Sequence, residues 1–275
     1  MRLLNLGCGH RFHPTWTNVD FTSTAPGVIA HNLLSGIPFD NNSYDVVYHS
    51  HVLEHFSRQD GKHFIRECHR VLKPGGILRM AIPNLEQIAR LYLQKLELAA
   101  QGDPQAAFDY EWIMLEMYDQ TVRTQSGGDM AQYLFQESIP NEDFVYNRIG
   151  EEGRNIRRQF LDRKQNSSPT QPLPRQSFTR HLKNFLKKIL TFYCQKPTAI
   201  ELAQCQIGKF RLGGEVHLWM YDRYSLKKLL LESGFKDFII QTAFESRISS
   251  WNEYELESKD GIIFKPDSLF VEVIK

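Results

Sequence analysis

The feature that most constrains the fold of this chain is a pair of glycines that follows a short apolar run near the N-terminus. Residues 2–6 are typical of a buried strand, which stops at Gly7 and Gly9. Asp20 follows at the end of the next predicted strand. Glycines at these positions let the backbone approach a ligand that any Cβ would push away. A carboxylate at the tip of the neighbouring strand can accept hydrogen bonds from both hydroxyls of a ribose.

Strand and helix patterns alternate through residues 1–84 and resume near the C-terminus. Short apolar or β-branched runs predict strands at 2–6, 16–21, 28–30, 44–48, 76–82, 235–242 and 269–274. Helical spacing of apolar residues predicts one helix over 58–72 and another that is capped by Asp222 or Ser225, with Gly234 after its end. This alternation predicts an α/β fold built on a parallel sheet.

The regular alternation stops at Asn84, and the chain is mostly helical in pattern from 85 to 213. A polar, proline-rich stretch within this region predicts a flexible linker near 164–177. We therefore expect one ligand-binding domain, formed by 1–84 and 214–275, interrupted by a helical insertion over 85–213.

A dinucleotide cofactor fits the glycine pair poorly. Its G-x-G-x-x-G fingerprint requires a third glycine, but Phe12 stands there. The acidic residue of that fingerprint lies about twenty residues further on, whereas Asp20 is only eleven residues after Gly9. The sequence thus argues against a nicotinamide cofactor.

Asn5–Gly9 with Asp20 resembles motif I of class I S-adenosylmethionine-dependent methyltransferases. Further stretches resemble later family motifs in the expected order: 32–33 with 37–40, 43–47, 52–55, 70–76 and 229–235. The resemblance implies a Rossmann-like sheet of seven strands, mostly parallel with an antiparallel last strand. It also implies S-adenosylmethionine as cofactor and S-adenosylhomocysteine as product. The cofactor-binding residues that it implies are Gly7, Cys8, Gly9, Asp20, Phe21, Asn32, Leu33, Ser50 and His51.

Within that class the chain is similar to type-11-like enzymes associated with glycan and cell-surface biosynthesis. The shared stretches are 4–9, 16–20 and Gly-Glu-x-His-x-Trp-Met-Tyr-Asp at 214–222. The likeness implies a methyl acceptor that is a small-molecule or glycan hydroxyl. The chain departs from the family where His10 and Arg11 replace a further glycine, and where Asn32 replaces the commoner aspartate.

Two histidine clusters are candidates for the acceptor site, because the unperturbed pKa of histidine suits proton transfer near neutral pH. His55 follows the fourth predicted strand, and His217 lies in the 214–222 stretch. We predict these two as catalytic residues, and place His49 and His51 nearer the methionine end of the cofactor. A metal held by the histidines of 49–55 with Glu54 is the alternative. Because the family resemblance needs no metal, we expect none.

Positive charge is concentrated in residues 151–196, which hold eleven Lys/Arg against three Asp/Glu, although the net charge of the chain is only +1. Residues 178–193 have the pattern of a basic amphipathic helix, which can pack on the domain or contact an anionic membrane surface. Basic residues interleaved with aromatics do not extend beyond this segment, so we expect no nucleic-acid partner.

The sequence contains no run of about eighteen apolar residues and no signal-like N-terminus, and its four cysteines show no CxxC pair. These features favour the reducing environment of the cytoplasm. Three hypotheses for function remain. The first is an active methyltransferase, and the second is a catalytically silent methyltransferase-like module whose helical insertion binds a partner. The third is a peripheral membrane protein anchored by residues 178–193.

Overall fold

The structure, a computed structural model, describes residues 1–166 and 198–275. Its centre is a seven-stranded sheet of order β3-β2-β1-β4-β5-β9-β6, and a two-stranded hairpin pairs β7 with β8. The strands are β1 (Leu3–Leu6), β2 (Thr17–Asp20), β3 (Val28–Ala30), β4 (Tyr44–Ser50), β5 (Leu72–Pro83), β6 (Lys236–Gln241), β7 (Ser258–Lys259), β8 (Ile262–Ile263) and β9 (Ser268–Ile274).

The first five strands of the sheet pair in parallel, and β9 lies antiparallel between β5 and β6. The predicted fold class is therefore confirmed: an α/β Rossmann-like sheet, mostly parallel, with an antiparallel last strand. Because β1 and β4 are central neighbours, the loops that follow them meet at one edge of the sheet. This edge is where open α/β sheets bind their ligands.

Strand β5 begins earlier than the sequence pattern predicts. Leu72 already pairs with Tyr44, and regular pairing resumes at Val46 with Ile77. The intervening Lys-Pro-Gly-Gly stretch protrudes as an irregularity within the strand, with Gly75 at φ 78°. The sequence pattern marks the proline and glycines as a break, but it does not show that Leu72 pairs before that break.

Eight helices surround the sheet within the described residues. They are α1 (Arg58–Val71), α2 (Leu85–Ala100), α3 (Pro104–Met114), α4 (Gln120–Val122), α5 (Gly128–Leu134), α6 (Glu142–Asn166), α7 (Ala199–Arg211) and α8 (Arg223–Glu232). A π-helical turn, Leu115–Asp119, joins α3 to α4, and Gly150 introduces a kink in α6. The side chain of Asp222 caps α8, and Gly234 adopts φ 97° just beyond its end, as the sequence predicts.

Two separate apolar clusters form the main cores of these regions. The larger lies between the sheet and helices α1 and α8, and includes Leu4, Val47, Phe64, Leu226 and Val271. The smaller belongs to residues 85–166, and its buried members are Ile88, Trp112, Ile113, Leu134, Ile139 and Val145. The insertion therefore has a core of its own, and its predicted boundaries at 85 and 213 stay a prediction.

The predicted linker near 164–177 lies outside the described residues, except for residues 164–166, which end α6. The predicted amphipathic helix over 178–193 lies wholly outside them. Among the helices of residues 1–166 and 198–275, none combines the length and apolar character that crossing a bilayer requires.

Candidate active site

The glycine loop after β1 turns sharply because both of its glycines have positive φ, 65° at Gly7 and 54° at Gly9. The amide nitrogen of Gly7 donates a hydrogen bond to the carbonyl oxygen of Val19 at 2.8 Å. The amide nitrogen of Gly9 donates one to Asp20 Oδ2 at 2.7 Å. A Cβ on Gly7 would lie 2.3 Å from Val52 Cγ2, whereas a Cβ on Gly9 would meet nothing within 4 Å. Thus Gly7 permits close packing inside the loop, and Gly9 leaves open space at its rim.

A cavity of about 540 Å³ opens in front of this loop. Of the predicted cofactor residues, Gly7, Cys8, Gly9, Ser50 and His51 line it. Its lining also includes His10, Arg11, Tyr48, Leu256, Lys265 and four residues of α6, namely Glu152, Asn155, Ile156 and Gln159. The loops after β1 and β4 thus form one wall of the cavity, and α6 of the insertion forms another.

The other predicted cofactor residues do not line this cavity. Asp20 contacts the loop through Gly9, and Phe21 is 69% exposed. The side chain of Asn32 caps the 3-10 turn Leu33–Ser35 by accepting a hydrogen bond from Leu34 N at 3.0 Å. Leu33 is buried in the main core. Roles for these four residues in cofactor binding stay predictions.

A second cavity, of about 220 Å³, adjoins the first, and helical-insertion residues form most of its wall. Gln120, Arg123, Gly127, Met130, Ala131, Leu134, Ile149 and Gly153 come from the insertion, whereas Pro83 and Asp267 come from the sheet region. Four residues line both cavities: His51, Glu152, Ile156 and Lys265. The two spaces therefore meet at His51, at the carboxyl end of β4.

His51 occupies a constrained position at this junction. Its backbone is left-handed, with φ 52°, which is uncommon for a residue other than glycine and is found often at functional sites. Its Nδ1 lies 3.1 Å from Glu54 Oε1, and its Nε2 lies 2.8 Å from Ser268 Oγ. Glu54 is buried, which by itself favours the neutral acid, but His51, His217 and His55 together lower the pKa of its carboxyl group. A carboxylate therefore orients the ring of His51.

The two predicted catalytic histidines are brought together by the fold. The ring centroids of His55 and His217 lie 4.9 Å apart. In addition, His55 Nδ1 forms a hydrogen bond with the carbonyl oxygen of Val216, which lies 161 residues further along the chain. His217 is buried, and burial lowers the pKa of its imidazole to about 3. Neither histidine lines either of the two cavities described above, so their catalytic role stays a prediction.

His49 lies in the core rather than at the cavity surface. Its ring is fully buried and meets the ring of Phe64 edge-on at 5.1 Å. Burial lowers the pKa of its imidazole to about 4, against the opposing effect of Glu54. A neutral, packed ring explains this histidine without any contact to a ligand.

Opposite charges balance the wall that the insertion contributes. Glu152 Oε2 lies 3.2 Å from Lys265 Nζ and 3.6 Å from an Arg11 guanidinium nitrogen. Burial of Glu152 opposes its ionisation, but these two cations together hold its pKa below the ordinary value. Arg123 makes close ion pairs with Asp119 and Glu215. The cavities therefore have a polar but nearly neutral rim.

Part of this chain is similar to known methyltransferases. Residues 14–80 match the family model described as a methyltransferase domain. Over 56 residues the chain is 41% identical to a Mycolicibacterium smegmatis protein named "Probable S-adenosylmethionine-dependent methyltransferase". That alignment covers 20% of this chain and 21% of the relative, so the chain spans about a fifth of the length of the relative that it matches. Residues 14–80 include β2 to β4, α1 and most of β5.

Solved structures with low similarity cover the whole chain. A methyltransferase from Thermotoga maritima aligns over 100% of this chain and 82% of its own, at 13% identity and a TM-score of 0.38. One from Archaeoglobus fulgidus aligns over 100% and 86%, at 13% identity and a TM-score of 0.38. Both of these proteins are described as S-adenosylmethionine-dependent methyltransferases. The fold assignment follows from the strand order of this chain itself.

Sequence reasoning missed the cavity residues that come from distant segments. Lys265 follows a tight hairpin between β7 and β8, whose Asp260 and Gly261 both have positive φ. An Asp-Gly pair favours a two-residue hairpin turn, and Asp260-Gly261 could have indicated this one. No comparable local signal marks Gln120, Arg123 or Glu152, because only the packing of the insertion brings them to the site.

Proposed function

We propose that this chain is an S-adenosylmethionine-dependent methyltransferase that transfers a methyl group to a hydroxyl of a small molecule or glycan. The observation that carries the proposal is the pair of adjoining cavities that meet at His51. The larger lies against the glycine loop, and the smaller is lined mainly by the insertion. A transferase needs such an arrangement, because cofactor and acceptor must meet in line.

The residues of the larger cavity fit the cofactor. Gly9 leaves free space at the rim, the carboxylate of Asp20 lies next to that loop, and the volume of about 540 Å³ is in the range of small-molecule sites. We assign Gly7, Cys8, Gly9, Asp20, Phe21, Asn32, Leu33, Ser50 and His51 to this site. When bound, S-adenosylmethionine supplies an electrophilic sulfonium methyl and leaves as S-adenosylhomocysteine.

His51 is the residue best placed to accept the proton that the acceptor hydroxyl loses. The buried carboxylate of Glu54 faces Nδ1 of His51, which favours the tautomer with the proton on Nδ1 and the lone pair on Nε2. In this structure Nε2 contacts the hydroxyl of Ser268, and an acceptor hydroxyl would take its place. The hydroxyl proton moves to Nε2 as the new oxygen–carbon bond forms and the sulfur–carbon bond breaks. Such a base contributes typically about 10²–10⁴-fold to the rate.

The insertion supplies the acceptor wall in this proposal. Gln120, Arg123 and Glu152 present polar groups beside the apolar Met130 and Ile149. That mixture of hydrogen-bonding and apolar groups suits a polar, uncharged acceptor such as a sugar or another alcohol. We place the activity in the cytoplasm, because Cys8, Cys68 and Cys205 are free thiols, as expected in a reducing compartment.

The test combines cofactor binding with methyl transfer. Calorimetry should show saturable binding of S-adenosylmethionine, weakened by Asp20→Ala. Radiolabelled cofactor should then transfer its methyl to a fraction of cell extract or to a panel of sugar nucleotides and lipid-linked glycans. We expect His51→Gln to lose about 10²–10⁴-fold in transfer rate at saturating cofactor, beyond any loss of cofactor affinity.

His63→Gln is the matched control, because His63 is exposed on α1, away from both cavities. It should leave binding and transfer unchanged. Cofactor binding without transfer to any fraction, together with a stable protein partner, would support the catalytically silent module instead. Unchanged cofactor affinity in Asp20→Ala would refute the assignment of Asp20.

A further inference from the structure

A group of three potential metal ligands lies behind His51, outside the two cavities. Glu54 and His55 belong to the 3-10 turn that follows β4, and His217 belongs to the segment that precedes α8. One ligand atom from each residue lies within 4.8 Å of the others. Glu54 is 1% exposed and His217 is 6% exposed. Two segments that are remote in sequence thus bring a carboxylate and two imidazoles into one buried place.

Backbone hydrogen bonds fix these two segments relative to one another. The amide nitrogens of Leu218 and Trp219 donate to the carbonyl oxygen of Glu54 at 2.8 and 3.2 Å. The amide nitrogen of His217 donates to the carbonyl oxygen of Gln120 at 2.9 Å. The cluster is therefore held by main-chain contacts that are independent of its side chains. Such preorganisation is what a ligand set for a metal requires.

Three polar atoms of this cluster lack hydrogen-bond partners in the described part of the chain. Within the described residues, both carboxylate oxygens of Glu54 and the Nδ1 of His217 are without a hydrogen-bond partner. His51 Nδ1 lies 3.1 Å from Glu54 Oε1, but outside hydrogen-bond geometry. A buried ionised carboxylate without hydrogen bonds is costly, and buried charges are usually paired or bound to a metal.

We propose that Glu54, His55 and His217 bind one divalent transition-metal cation of the zinc class. Two imidazoles and a carboxylate are a common ligand set for such ions, and three protein ligands leave a coordination position open. Because His55 Nδ1 faces the carbonyl oxygen of Val216 at 3.3 Å, its Nε2 is free to bind the ion. A ligating histidine usually donates its other N–H to a backbone carbonyl in this way.

The position of the site indicates what the ion does. It joins the end of β4 to the 214–222 stretch, and Gln120, bonded to His217 through the main chain, lines the smaller cavity. His51 contacts the ligand Glu54 from the junction of the two cavities. The ion therefore stabilises the segments that position His51 and Gln120 at the cavities. The sequence predicts no metal, because the family resemblance needs none. The alternative that it offers, the histidines of 49–55 with Glu54, does not include His217.

The experiment measures metal binding directly and does not require methyl transfer. The untagged full chain is stripped with a chelator, and Zn²⁺ is titrated by calorimetry, with stoichiometry checked by elemental analysis. We expect one tight site per chain, and a visible absorption band typical of low coordination number when Co²⁺ replaces Zn²⁺. Loss of a group that only contacts a metal ligand reduces metal affinity by about 10–100-fold. His217→Ala and Glu54→Gln each remove a ligand, so each should reduce Zn²⁺ affinity by more than this.

His63→Ala on α1 is the matched control, since it removes an exposed histidine and should leave the affinity unchanged. Circular dichroism identifies any variant that fails to fold. If His217→Ala does not fold, Glu54→Gln alone tests the site. The proposal is overturned if the wild-type chain shows no saturable Zn²⁺ site, or if folded His217→Ala and Glu54→Gln bind as tightly as the wild type. Calorimetry with S-adenosylmethionine tests the proposed function separately.

Discussion

The two walls of the site are stabilised in different ways. On the sheet side, a large apolar cluster packs β1, β4 and β5 against α1 and α8. On the insertion side the apolar cluster is small, and charged groups are buried around it: Asp109, Glu116, Asp119, Arg148 and Arg157. Apolar packing tolerates small changes, whereas a buried ion pair that loses one partner leaves an uncompensated charge. The two walls should therefore fail separately and for different reasons.

The sheet also contains buried charge, but away from the cavities. Arg79 contacts Glu257 and Glu272, and its guanidinium lies 4.2 Å from the centre of the Trp251 ring. This group joins β5, β9 and the loop before β7 on the other face of the sheet. In the insertion, the comparable ion pair between Arg148 and Glu116 lies next to cavity-lining residues of α6. The pair between Arg148 and Glu116 thus supports the insertion wall from within the insertion.

The largest effect is expected from Arg148→Met. Arg148 donates to Glu116 at 2.6 Å and to Gln87 at 2.8 Å, so the substitution leaves Glu116 buried without its cation. Removing one partner of such a pair costs about 3–5 kcal/mol. Hydrogen exchange should show loss of protection in α3 and α6 while β1 and β4 keep theirs.

Arg158→Met is the control for this prediction. Arg158 lies on the same helix, but its side chain is 65% exposed and its nearest approach to Glu151 is a long 3.8 Å. Loss of this exposed ion pair should therefore cost under about 1 kcal/mol. If Arg148→Met reduced protection equally in β1 and β4, the two walls would be one cooperative unit and the comparison would fail.

A smaller effect is expected on the sheet side from Gly7→Ala. The new Cβ meets Val52 Cγ2 at 2.3 Å, and the left-handed backbone adds strain, for a cost of about 1–3 kcal/mol. We expect lower stability in urea together with weaker cofactor binding. Gly75→Ala is the control, because its φ is 78° but a Cβ there meets nothing within 4 Å. Equal losses in the two variants would mean that Val52 does not matter.

The smallest effect concerns pH and the neutral His49. Its folded-state pKa of about 4 lies below the ordinary value of about 6.5, so only the unfolded chain gains the proton between these values. The contribution of His49 is complete above pH 6.5 and falls by about 1.4 kcal/mol per pH unit as the pH drops towards 4. His49→Phe should reduce this slope in urea unfolding at pH 7.5, 6 and 5. His63→Gln should retain it, and an unchanged slope in His49→Phe would show that His49 is not buried neutral.

Local sequence signals predicted the strands and the glycine loop at this edge of the sheet well. Strands β1 to β4 appear at or within a few residues of the predicted positions, and the glycine loop adopts the positive φ values that its residues suggest. These features depend on neighbours within about twenty residues. The strand break at 73–76 is the exception, because pairing of Leu72 with Tyr44 depends on a second strand.

The acceptor end could not be predicted in the same way. His51 was assigned to the cofactor alone, yet it also borders the second cavity and contacts Glu54. His55 and His217 were expected in one site, and the fold does bring them together, but with Glu54 behind the cavity wall. Lys265, Glu152 and Gln120 carry no local pattern that marks them as cavity residues.

The sequence by itself determined the parallel sheet and the glycine loop, because hydrophobic periodicity and the freedom of glycine are properties of short segments. Only the tertiary structure decided which distant side chains share the space beyond that loop. Residues 51, 120, 152 and 265 meet there, with His217 behind them, because the insertion folds on its own core and packs against the sheet edge. Such contacts depend on three-dimensional packing, which no local spacing of residues encodes.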